Sequence, residues 1–133
     1  MTYKISEGLD LCYSYIEAGE AAELKALWPT ASLCYSSALD IALNSIRRDE
    51  SYRFVLLKSA RKYSKFLMTE GKEKQCFEVL RSILPFCDFE SSEANLILVL
   101  SLYQSLCYKF SGRSEALLIQ RKLEKLSLKI MMD

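Results

Sequence analysis

Histidine is absent from this 133-residue chain. Its absence removes the commonest general base, the histidine-dependent nucleophile systems and the commonest metal ligand. Glycine and proline are scarce, at four and two copies. An all-β fold of this length needs a turn every ~8–12 residues, so long helices with few joints suit the composition better. No glycine-rich phosphate loop is present. Gly71-Lys72-Glu73 lacks the upstream glycine and the following Ser or Thr of such a loop. Long hydrophobic runs are missing too. The least polar stretch, Ala94 to Tyr108, is uncharged for 15 residues but includes Asn95, Ser101, Gln104 and Ser105. It is short for a membrane span and reads as a central buried helix, the most buried of the chain. The segment Met1 to Glu7 has no apolar stretch after its charge, so no secretory signal is expected.

Half of the chain is apolar and 26% is charged, enough for one real core. The expectation is a single domain over residues 1–133. Net charge is +1, but unevenly laid out. Residues 1–50 hold 4 basic and 8 acidic groups, residues 51–108 hold 8 and 6, and residues 109–133 hold 6 and 3. An acidic head and a basic tail can pair with each other or show different faces to partners. Five cysteines (Cys12, Cys34, Cys76, Cys87 and Cys107) lie no closer than 11 residues apart. A disulfide scaffold or zinc site shows shorter, paired spacings. Free buried thiols in a reducing, cytoplasmic compartment are expected instead.

The periodicity predicts an all-α fold of five to six antiparallel helices. The first runs from about Ser6 to Ala18 on Leu9, Cys12, Tyr13 and Ile16 and is punctuated by Gly19. A short segment, Glu20 to Trp28, meets Pro29, which suits the first turn of a helix over about Thr30 to Arg47. Cys34, Ala38, Ala42 and Ser45 give that helix a small-residue stripe on which a neighbour can approach closely. The next runs over about Ser51 to Thr69, with Gly71 as a left-handed cap, and another from Lys72 to Leu84 before Pro85. Ser91 or Ser92 caps the helix that follows, and Gly112 ends it. The last helix starts near Ser114, with Ala116, Ile119, Leu123, Leu126 and Ile130 in one stripe. That stripe packs on the helix before it or joins a second copy.

Two turns, Thr69-Glu70-Gly71-Lys72-Glu73-Lys74-Gln75-Cys76 and Phe110-Ser111-Gly112-Arg113-Ser114-Glu115-Ala116, each join a long apolar helix to an amphipathic one. This resembles the tetratricopeptide class, with Cys76 and Ala116 as the small residues that let two helices touch and Leu80 and Ile83 in core positions. Gly71 and Gly112 stand 41 residues apart, where that family repeats at about 34. Residues 5–74, with Leu33-Cys34-Tyr35-Ser36-Ser37-Ala38-Leu39 and Leu57-Lys58-Ser59-Ala60-Arg61-Lys62-Tyr63, also look like a three-helix microtubule-interacting-and-transport domain. Either resemblance implies stacked hairpins or an irregular bundle that binds a peptide or helix of another protein. Small tetratricopeptide-like chains also serve as chaperones for secreted bacterial subunits.

Arg53, Lys58, Arg61, Lys62 and Lys65 form a basic face with no acid between residues 51 and 65. Arg121, Lys125 and Lys129 form a second stripe. These faces suit an acidic peptide or nucleic acid, or simply pair with Glu17, Glu20 and Glu23. Those glutamates, at helical spacing, are weighed as a carboxylate pair and read as solvated surface. Trp28 beside Pro29 is the one aromatic suited to an exposed anchor; the bland reading has it plugging the end of the bundle. The expected function is therefore non-enzymatic: an adaptor or chaperone without cofactor, holding a partner segment in a groove beside the helix at 51–69, with nucleic-acid binding as the alternative.

Overall fold

The computed structural model describes the backbone of residues 5–88 and 93–132. These residues form six α-helices and no strand: α1 (Ile5–Leu24), α2 (Trp28–Ile46), α3 (Arg53–Thr69), α4 (Glu73–Ile83), α5 (Ala94–Phe110) and α6 (Arg113–Met132). Short 3-10 turns at Glu50–Tyr52 and Leu84–Phe86 precede α3 and follow α4. The all-α expectation holds. The chain divides into two compact units, one ending at Phe66 and the other beginning at Leu67.

In the first unit α1 and α2 pack as an antiparallel hairpin, because a three-residue connection leaves no other route. Cys12 and Ile16 on α1 and Ala31, Tyr35, Ala38, Leu39, Ala42 and Ile46 on α2 are buried. Three of those are alanines, so the backbones come close, and the Cys12 thiol reaches the Ala38 carbonyl at 3.6 Å. The Tyr35 ring lies 5.9 Å from that of Phe66. Gly19 does not punctuate α1; the helix runs through it to Leu24. A Cβ at Gly19 would sit 2.6 and 2.7 Å from Tyr35 Cε1 and Cδ1. Glycine is there to admit the tyrosine ring, at the cost of helix propensity.

The segment read as a short helix ending at Trp28 is divided differently. Its front belongs to α1, and Trp28 opens α2 with Pro29 in the first turn. Ala26, at φ +58°, makes the reversal. The Leu27 N–H donates to the Ala22 carbonyl at 2.9 Å and the Ala26 N–H to Glu23 at 3.0 Å, which is the bonding of a glycine-type helix stop. The same stop at the end of α3 uses Gly71, at φ +74°, with Lys72 N–H donating to Leu67 at 2.8 Å. Gly112, at φ +117°, ends the α5 side of its turn.

The second unit is built on α5 and α6, with α4 against α5. Phe77 of α4 stacks on Tyr103 of α5 with ring centroids 5.3 Å apart and planes at 3°. Ala116, Ile119 and Leu126 of the expected α6 stripe are buried, while Ile130, at its end, is exposed. The cap expected from Ser91 or Ser92 lies outside the described residues. Glu93 itself caps α5, its carboxylate accepting from the N–H groups of Asn95 at 3.0 Å and Leu96 at 3.1 Å. The expectation that α5 is the most buried helix is not met. Ala94, Leu98, Ser101, Ser105 and Tyr108 are exposed along one side, whereas more than half of α3 is buried.

Two backbone substitutions test these readings by urea unfolding. Gly19→Ala is expected to destabilise by roughly 1–3 kcal/mol through overpacking against Tyr35, although propensity alone favours alanine by about 1 kcal/mol. Ala26→Gly is expected to stabilise by roughly 1 kcal/mol, since it relieves a left-handed non-glycine residue.

Candidate interaction surface

Each helical hairpin carries one buried tyrosine whose hydroxyl needs an acceptor. Tyr35 donates to Glu23 Oε1 at 2.5 Å and Tyr103 donates to Glu115 Oε1 at 2.5 Å. Burial and the neighbouring carboxylate raise both phenols above their ordinary range. Glu115 also accepts from the Ser111 hydroxyl and lies 3.8 Å from Arg81. The hydrogen bonds from Ser111 and Tyr103, then Arg81, hold its carboxyl below the usual value. Two of the chain's acids are thereby committed to structure.

The thiols are similarly held. Cys12, Cys76 and Cys107 are buried, Cys34 and Cys87 half-buried, and none of the five is in a disulfide. Burial pushes the Cys12 thiol up to about 11 and raises Cys107 as well. A raised thiol is a poor nucleophile at neutral pH because the thiolate is the reacting form. Among the described residues no three metal-ligating side chains come together, and no helix is long and apolar enough to cross a membrane.

The basic face of α3 is already engaged inside its own unit. Lys62 Nζ lies 3.6 Å from Glu20, Lys58 Nζ sits 5.4 Å from the centre of the Tyr13 ring, and Arg53 pairs with Glu50 at 3.3 Å. Arg61 is half-buried and Lys65 exposed. Arg53 also stands well apart around the helix from the other four, which share a wedge of roughly 100°. On α6, Arg121, Lys125 and Lys129 are all exposed. Trp28 is 44% exposed, in a run of exposed residues from Leu24 to Thr30 at the α1–α2 turn.

A surface that sequence reasoning did not single out lies between α5 and α6. Gln104 on α5 and Gln120, Leu123, Glu124, Ser127, Leu128 and Met131 on α6 line a groove of about 510 Å³. The Gln104 amide donates to Gln120 at 3.2 Å, and the Gln120 amide to Glu124 at 3.3 Å, along its floor. Leu128 is 57% and Met131 82% exposed, and on α5 Leu98 and Tyr108 are 48% and 52% exposed. The signal was present: Gln120, Glu124, Ser127 and Met131 recur at 4, 3 and 4, a second α6 stripe beside the buried one. The comparisons with family models, curated proteins and solved structures give no match to this chain, so the geometry carries the argument.

The Glu115 cluster sets a pH dependence. A carboxyl lowered in the fold contributes stability above the unfolded carboxyl range and loses it as pH falls through its folded value. Glu115→Gln is expected to be less stable than the parent by roughly 1 kcal/mol at pH 7. That difference should close below about pH 4 in thermal melts run across the acid range.

Proposed function

We propose that the chain is a non-enzymatic protein-interaction module, an adaptor or chaperone, that holds a segment of another protein in the groove between α5 and α6. One observation carries this reading. The exposed side of α5, from Ala94 through Leu98, Ser101 and Ser105 to Tyr108, carries no charge until Lys109 in its last turn, which pairs with Glu73. A helix side left to water normally carries charge, and exposed apolar surface beside a groove marks an interaction site. Met131 and Leu128 at the groove supply adaptable apolar contact. Five thiols outside any disulfide suit a reducing, cytoplasmic setting. Service as a chaperone for a secreted bacterial subunit is the most concrete form of the reading, resting on the tetratricopeptide resemblance.

The groove differs from the one expected beside the helix at 51–69. Val55, Leu56, Leu57, Ser59, Ala60, Tyr63, Ser64, Phe66 and Leu67 are buried, which leaves α3 little surface to offer. A second reading, nucleic-acid binding, is supported by the exposure of Arg121, Lys125 and Lys129. Self-association through the α6 stripe has less to draw on, because Ala116, Ile119 and Leu126 are already buried in the chain itself.

Pull-down from the native host with the tagged chain and with a Leu128→Glu, Met131→Glu variant separates these readings. The expected result is one stoichiometric protein retained by the parent at high salt and lost by the variant. Nucleic acid eluting steeply with salt, with no protein difference between the two, would replace this reading with the second.

A further inference from the structure

We propose that the outward face of α6 is a peripheral binding surface for anionic lipid, lying in the headgroup layer of a membrane without crossing it. Leu117, Leu118, Arg121, Lys125, Leu128 and Met132 are all exposed. At about 100° per residue they fall within a wedge of roughly 100°, shared only with Ser114. The wedge is turned away from Ala116, Ile119 and Leu126, which are buried in the chain. It holds Arg121 and Lys125 and no acid. Glu124 borders it on the groove side. Lys122 and Lys129, exposed and each with an interaction of its own in the chain, border it on the other. The proposal stands apart from the groove reading, since the two surfaces share only Leu128.

The order of residues along the wedge points to the kind of partner. Leu117 and Leu118 lie at one end, Leu128 and Met132 at the other, and Arg121 and Lys125 between them, over about 22 Å of helix. A nucleic-acid backbone would engage the two cations and leave the apolar pairs on either side with nothing to bury against. A lipid surface satisfies both, because its phosphates and its acyl chains differ in depth. The Arg and Lys stems run beside the leucines while their heads rise to the phosphates. Each cation near the surface favours negative headgroups by about fivefold. Among the described residues no helix is long and apolar enough to cross a membrane, so the contact is with the surface and is reversible.

The test uses the full chain and co-sedimentation with vesicles, of phosphatidylcholine alone or of phosphatidylcholine and phosphatidylglycerol in equal parts. The parent is expected to bind the anionic vesicles about tenfold or more tightly than the neutral ones. Arg121→Gln with Lys125→Gln should remove most of that preference. Leu118→Gln with Met132→Gln should weaken binding to the anionic vesicles by about tenfold. All four positions are exposed and none lines the groove, so the variants are expected to fold, as circular dichroism would check. Absence of binding to the anionic vesicles, or equal binding to the two kinds, overturns the proposal. So does binding that neither pair of substitutions reduces. A DNA duplex bound through Arg121 and Lys125, without vesicle uptake, replaces it with a nucleic-acid surface. A dimer that Leu118→Gln with Met132→Gln dissolves, again without vesicle uptake, replaces it with a contact between two copies.

Discussion

A tyrosine ring is among the largest apolar bodies a helix can bury, yet its hydroxyl must find an acceptor. Both hairpins meet that demand in the same way. Tyr35 and Tyr103 each reach across to a glutamate 12 residues away in sequence, on the antiparallel helix just beyond the turn. The bond fixes the register of two helices at one height. It also dictates neighbours. Gly19 must be bare because the Tyr35 ring passes over it, and Phe77 can stack flat on Tyr103 because that ring is held. The same clamp commits Glu23 and Glu115, which leaves fewer free carboxylates from which to build chemistry.

Much of this was legible in the sequence. The apolar periodicity located α2 to α6 closely, and Gly71 and Gly112 lie at positive φ where helix stops were expected. The stripe Ala116, Ile119 and Leu126 was found buried. What was not legible has a physical reason in each case. A glycine in a helical pattern signals either a stop or a close approach, and only the position of Tyr35 tells which applies at Gly19. The true stop uses Ala26, a residue with no turn signature, held at φ +58° by the packing of the two helices it joins. A run without charge such as Ala94 to Tyr108 is equally the mark of a fully buried helix and of one with an uncharged outer side.

The two basic stripes make a related point. In sequence α3 is the stronger candidate, with five cations and no acid between residues 51 and 65. In the fold α3 lies beside the acidic α1, where Glu20 and the Tyr13 ring take up Lys62 and Lys58. Cation density along a chain does not measure cation availability; the tertiary neighbours do. The α6 cations are fewer; Arg121 and Lys125 are exposed, and Lys129 is exposed with an interaction of its own in the chain.

The placement of the groove follows from how α5 and α6 are matched. Three residues of α6 at helical spacing are buried, and one face is sufficient to hold it. A helix that needed nothing more would make its remaining faces polar. Instead α6 exposes Leu117, Leu118, Leu128 and Met131, and α5 exposes Leu98 and Tyr108. Scattered singly, such residues need no explanation. Of these, Leu128 and Met131 come together along one groove with Leu123, and they describe a surface with a preference for apolar side chains. An apolar surface alone accepts many partners, so selectivity at this one has to come from the polar groups of its lining, Gln104, Gln120 and Glu124.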